Sequence, residues 1–201
     1  MKRGLSIILL TCLCMLSYSK EKHTRFTFGA EWSYCATFLS GYRFYFIAPE
    51  GYRVYECDDR ADYMRDGEVY VHAGCNINPH WNLSLYVGYT GISDYHNGMP
   101  VSLRATRYFG DNPLKDRWFS FCEVGSGIGF ASVPTELISA KAGGGYRLSL
   151  SRVSQLDFIA SIRFIHTHPD IIYYGDFIPH SDIGQSSAYV MSASVGIGLT
   201  F

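Results

Sequence analysis

Beyond its first nineteen residues the chain lacks any apolar run long enough for a membrane-crossing helix, which needs about twenty consecutive apolar residues. Any span it makes is therefore built from strands. It also lacks charge of one sign: 17 Lys and Arg stand against 18 Asp and Glu, a formal net charge of -1, so no basic surface invites nucleic acid. Linkers and charge runs are absent, which leaves one domain. Cysteine is sparse, six residues in all. Cys35, Cys57, Cys75 and Cys122 fall on separate strands and a loop, and bridge geometry demands close Cα atoms, so free thiols are expected. Two glycine-rich stretches, Gly125-Ser126-Gly127-Ile128-Gly129 and Gly143-Gly144-Gly145, open no helix after a buried strand, which excludes a nucleotide loop.

What is present begins with a basic start (Lys2, Arg3), an apolar run from Leu5 to Leu16 and a small-residue exit at Ser17-Tyr18-Ser19. These are the three parts of a secretory signal peptide, so residues 1–19 are expected to be removed and 20–201 to form the mature domain. The apolar run is too short for a stable anchor. Thr11 before Cys12 stands where a lipoprotein signal has Gly, Ala or Ser.

Period-two alternation then recurs about eight times with turn chemistry between, the pattern of a transmembrane barrel rather than of a soluble sandwich. In the last segment Tyr189, Met191, Val195, Ile197, Leu199 and Phe201 alternate with Ser192, Ser194, Gly196, Gly198 and Thr200. Phe26, Phe28, Trp32, Tyr34 and Phe38 oppose Thr27, Gly29, Glu31, Ser33 and Thr37 in the first. Aromatics gather near segment ends, as in interfacial girdles. The expected fold is all-β, an eight-stranded antiparallel transmembrane up-and-down β-barrel after a signal peptide.

With these segments and the ending Gly196-Ile197-Gly198-Leu199-Thr200-Phe201, the mature sequence resembles the small eight-stranded outer-membrane β-barrels of Gram-negative bacteria (OmpX/OmpW-like, with a porin-like architecture). The resemblance implies an outer-membrane location in contact with membrane lipid and lipopolysaccharide. It also implies recognition of the strand ending in Phe201 by the outer-membrane assembly machinery. Connections around Asn78, Asp111 and Ser151 are short and belong at the periplasm with both termini, while Gly41 to Gly67 and Thr167 to Ser187 are the long external loops. The alternating Tyr/Arg/Phe stretch after Gly41 also suits strands continuing above the membrane.

The inward positions carry four acids (Glu31, Glu68, Glu123, Asp157) and four bases (Arg104, Lys141, Arg147, Arg163). An eight-stranded lumen is only wide enough to be filled by side chains, so these charges should pair into a plug. Arg147 and Asp157 flank one short turn and should meet across it. A lipid acyl hydrolase of the deacylase type implies a His two residues before a Ser on the penultimate strand. His166-Thr167-His168 stands there instead, leaving His166 and Ser192 as the nearest candidates. His166, His168, Asp170, His180 and Asp182 concentrate metal-compatible groups in the last loop, but their spacing matches no ligand signature, and neither metal nor cofactor is expected.

The expectation is a non-enzymatic barrel with a plugged lumen and a surface-binding, adhesive or structural role through its external loops. A conduit for small apolar molecules and an outer-leaflet acyl hydrolase are the alternatives. A barrel of this kind should migrate differently in detergent gels before and after boiling, and deleting Phe201 should lower the amount assembled. Identical mobility of heated and unheated samples contradicts the barrel reading.

Overall fold

A computed structural model describes residues 26–61, 63–93, 96–110, 112–130, 134–151 and 153–201. The expected signal peptide, the cleavage point before Lys20 and Asp111 in one expected turn lie outside the described residues. The elements are β1 (Phe26–Ile47), β2 (Arg53–Arg60), β3 (Met64–Asn78), β4 (Trp81–Ser93), β5 (His96–Tyr108), β6 (Arg117–Phe130), β7 (Thr135–Ser149) and β8 (Gln155–Thr167). A two-residue hairpin, β9 (Ile172–Tyr173) with β10 (Asp176–Phe177), and a 3-10 turn at His180–Asp182 lead into β11 (Ile183–Thr200).

Eight of these form the wall. Each of β3 to β8 pairs antiparallel with its neighbour in the order β3-β4-β5-β6-β7-β8-β11, and β1 pairs with both β3 and β11, closing the sheet on itself. Closure leaves no strand edge in hydrocarbon, where an unpaired backbone group costs several kcal/mol. The alternation read from the sequence becomes the two faces of this wall. On β8, for instance, Asp157, Ile159, Ser161, Arg163 and Ile165 are buried inside, whereas Phe158, Ile162 and Phe164 are exposed outside. The strands run 13 to 22 residues, more than the roughly nine to eleven that a tilted transmembrane strand needs.

The short connections at Pro79–His80, at 109–116 and at 150–154 lie at one end with Phe26 and Phe201. At the other end only the connection between β8 and β11 is long. The links 94–95 and 131–134 are themselves short, because β4 to β7 extend almost to their tips.

Gly41 to Gly67 is not a loop. β1 continues through it to Ile47 and β2 folds back on it, from Ser40↔Arg60 to Ile47↔Arg53. On its other side β1 stays paired with β11 up to Phe46↔Ile183. The result is a three-stranded extension, β2-β1-β11, standing above the rest of the wall. A register shift between Thr37 and Leu39 is decisive. One extra residue there passes the buried face from odd to even positions, so Phe46 is fully buried and packs with Ile171 and Ile178 of the last connection, with Phe44, Val54, Tyr173 and Ile183 around them. Thr167 to Ser187 is thereby folded onto the extension as an ordered cap.

Two local devices hold the cap. At Gly41 the side chains of its neighbours on both sides meet: Tyr189 Oη donates to Asp59 Oδ1 (2.9 Å), and a Cβ at Gly41 would fall 2.3 Å from that same oxygen. The β9–β10 hairpin turns through Tyr174 (φ 51°) and Gly175 (φ 94°), the pair of left-handed residues that suits a two-residue turn. Tyr174 is 89% exposed, and a tyrosine in this conformation is uncommon.

Candidate functional site

The central charged level of the lumen comes from four neighbouring strands facing two. Arg104 on β5, Glu123 on β6, Lys141 on β7 and Arg163 on β8 lie side by side in register, Arg104↔Glu123, Glu123↔Lys141 and Lys141↔Arg163. This belt carries three cations and one carboxylate. Glu31 on β1 and Glu68 on β3 face it from across the lumen, which brings the level to neutrality.

The contacts are direct. Arg104 donates from Nη1 to Glu31 Oε2 (2.6 Å), from Nη2 to Glu31 Oε1 (3.2 Å) and from Nε to Glu123 Oε2 (2.7 Å). Ser102 Oγ donates to the other oxygen of Glu123 (2.6 Å). Lys141 Nζ bonds Glu31 Oε1 at 3.1 Å and also bonds Glu68. Arg163 lies 3.6 Å from Glu68 Oε2 and donates to Thr90 Oγ1, the Gly91 carbonyl and Ser192 Oγ. The Arg104 guanidinium is stacked between the rings of Tyr86 and Phe121, 3.9 and 4.2 Å from their centroids. Every charged member of this level is at least 95% buried, so each needs the partners it has.

A second group lies toward the turn end. Arg147 and Asp157 are directly opposite and form a two-bond fork, Nε to Oδ1 and Nη2 to Oδ2, both 2.7 Å. Gln155 accepts the remaining Nη1 donor (2.7 Å). The structure adds one inward residue of each sign to the expected eight. Asp66 on β3 lies on the face of Glu68, in register with the buried Cys35. Arg117, at the start of β6, is buried, in register with Arg147, stacked 3.9 Å from the Tyr108 centroid, and donates to the Pro79 carbonyl (2.8 Å). A pocket of about 20 Å³, lined by His72, Asn82, Tyr86 and Asp157 among others, lies between the two groups. Above the charges Ile92, Leu137, Ile165 and Val190 pack into a buried apolar cluster in the upper lumen.

Other residues singled out in the sequence are not assembled into sites. Ser192 is buried inside the wall and bonds Thr37 and Arg163, while His166, in the alternate position on β8, points outward and shares a 3.0 Å hydrogen bond with Ser187 Oγ. The two acyl-hydrolase candidates therefore stand on opposite faces. No carboxylate is bonded to His166 among the described residues. The metal-compatible residues separate into the His166–His168 ring contact (5.1 Å) and the pair His180–Asp170 (3.7 Å), with Asp182 accepting from Ser181. Among the described residues no group of three His, Cys, Asp or Glu could hold a metal ion. Among the described residues no disulfide is formed; Cys35 is buried inside and Cys57 is exposed on β2.

No protein-family model matches the sequence, and no curated protein matches it in sequence. Solved structures do match in fold. Neisserial surface protein A shares 12% identity at a TM-score of 0.53, with 90% of this chain and 98% of that one covered. The outer membrane protein OprG from Pseudomonas aeruginosa shares 10% identity at a TM-score of 0.55, covering 90% and 97%. The chain thus has the architecture of a small outer-membrane β-barrel.

Removing Glu31 should disturb the lumen more than removing Asp157. Glu31→Ala strips an acceptor from both Arg104 and Lys141 at the buried centre, where breaking a charge pair costs about 3–5 kcal/mol. Asp157→Ala strips one from Arg147 near the mouth, where solvent reduces the loss. Urea unfolding of barrels refolded into vesicles measures both. An undiminished stability in Glu31→Ala contradicts the pairing.

Proposed function

We propose that this protein is a non-enzymatic outer-membrane barrel, with both termini in the periplasm, whose external cap is a binding surface and whose lumen is a structural plug. The observation that carries this reading is the shared core of Phe46, Ile171 and Ile178. It joins the β1–β2 hairpin and the last connection into one folded platform, which a barrel with a merely supporting role has no physical need to build. The platform presents Tyr52, Tyr55, Ile172, Tyr174 and Phe177 to solvent, and exposed aromatics are the common anchors of protein recognition. Tyr52 and Tyr173 are hydrogen-bonded through their hydroxyls (2.9 Å), which ties the hairpin to the loop and raises the Tyr173 pKa.

A second reading, passage of small apolar molecules sideways into lipid, has one observation in its favour. The β4–β5 ladder is paired up to Val87↔Val101 and again from Thr90↔Gly98, and between them stands Pro100, which has no N–H to donate. The apolar upper lumen of Ile92 and Leu137 belongs to the same strands and to β7.

Both readings are decided with the same variants. Shortening residues 48–52 or 173–176 should leave heat-modifiability intact while removing attachment of cells displaying the barrel to surfaces coated with serum proteins, and wild type should give no stepwise conductance in planar bilayers. If the trimmed barrel attaches as wild type does, while Pro100→Val lowers uptake of a small apolar dye, the conduit reading replaces the first.

A further inference from the structure

The lipid-facing wall carries one charge near the turn end. Among the described strand residues there, outward positions are apolar, aromatic or small, with Cys75, Cys122 and Ser120 the mildest departures. Arg107 is the exception: exposed, second from the end of β5, and in register with Trp81 of β4 and Ser120 of β6. A lipid-facing arginine is costly at the bilayer midplane and tolerated at the interface, where its stem lies along apolar surface and its head reaches polar groups.

The surroundings of Arg107 are those of an anion site with apolar walls. Its guanidinium carbon lies 5.9 Å from the ring centroid of Trp81 and 5.6 Å from that of Phe109, and no carboxylate is bonded to it among the described residues. Beside it opens a cleft of about 370 Å³, bounded by Trp81, Arg107 and Phe109 and by the turn residues Asn78, His80 and Gly110. The turn is held in place: Asn78 Oδ1 accepts from the backbone N–H groups of His80 and Trp81 (both 2.9 Å), and from the lumen side Arg117 fastens the Pro79 carbonyl. Gly110, at φ 107°, adds no side chain to the cleft it lines.

We propose that this cleft binds the headgroup of a phospholipid in the leaflet at the turn end, with the phosphodiester on Arg107 and the first acyl segments against Trp81 and Phe109. One guanidinium matches one phosphodiester charge. The two rings supply what a free phosphate does not need. The inference rests on the membrane-barrel reading above.

The test uses the refolded mature barrel in detergent, and native mass spectrometry counts retained phosphatidylglycerol or phosphatidylethanolamine. Folding is first verified by the unheated band shift, so a wild type without that shift overturns the barrel reading itself. A folded wild type should retain one phospholipid through activation that strips the rest. Arg107→Gln should weaken retention about tenfold or more, as expected for a lost charge-assisted bond, Arg107→Lys should weaken it less, and Arg65→Gln, at the loop end, should not change it. Equal retention by Arg107→Gln, or no retained lipid on folded wild type, overturns the site. Displacement of the lipid by excess inorganic phosphate also overturns it, in favour of a free-anion site.

Discussion

The carboxylate of Glu31 accepts from Arg104 on one side and Lys141 on the other, and through these two cations it joins β1 to β5 and β7 across the lumen. Other features of the barrel follow from that meeting. Buried charges hold only in one arrangement, because a slip of one residue in any of these strands would carry its charge to the lipid face and bring apolar side chains into the lumen. The charge network therefore fixes register as well as filling space, with the buried apolar cluster of Ile92, Leu137, Ile165 and Val190 above it.

Because the interior is occupied, variation is left to the surfaces. Apart from Arg107, the described outward strand positions near the turn end are uncharged, while the loop end departs from a minimal barrel through a bulge in β1, a strand that folds back on it and a last connection packed onto both. The bulge is the pivot. Without the shift between Thr37 and Leu39, Phe46 would turn outward and Ile171 and Ile178 would have nothing to pack against. The cap has an apolar core of its own, separate from the charged side chains in the lumen beneath it.

Much of this was legible in the sequence because the side-chain period of a strand is two. Once Glu31, Arg104, Glu123 and Lys141 fall on the small-residue face of a chain that can only close on eight strands, they must share one narrow lumen, and the Arg147–Asp157 pair follows from the short turn between them. What was not legible depends on events between strands. Arg117 alternates with Glu123 on one face, but it stands one residue before the segment expected to begin at Trp118, at the edge of the turn. The alternating Tyr/Arg/Phe stretch suited strands continuing above the membrane, as β1 and β2 do, but the bulge leaves no compositional mark, so the inward turn of Phe44 and Phe46 was not legible. The partnership of His166 with Ser187 needed the register of β8 on β11, and the scattering of His168, Asp170, His180 and Asp182 needed the path of a connection that no periodicity governs. Arg107 was visible as a residue, but its isolation appears only once the neighbouring outward positions are known.

The central claim, that the lumen is held by charge pairing through Glu31, is tested most directly by a double-mutant cycle between Glu31 and Arg104. Wild type, Glu31→Gln, Arg104→Gln and the double variant, each refolded into vesicles, give a coupling free energy from urea unfolding. Contacting buried charges should couple by about 1–3 kcal/mol, with the double variant less destabilised than the sum of the singles. Additivity within experimental error would contradict the account.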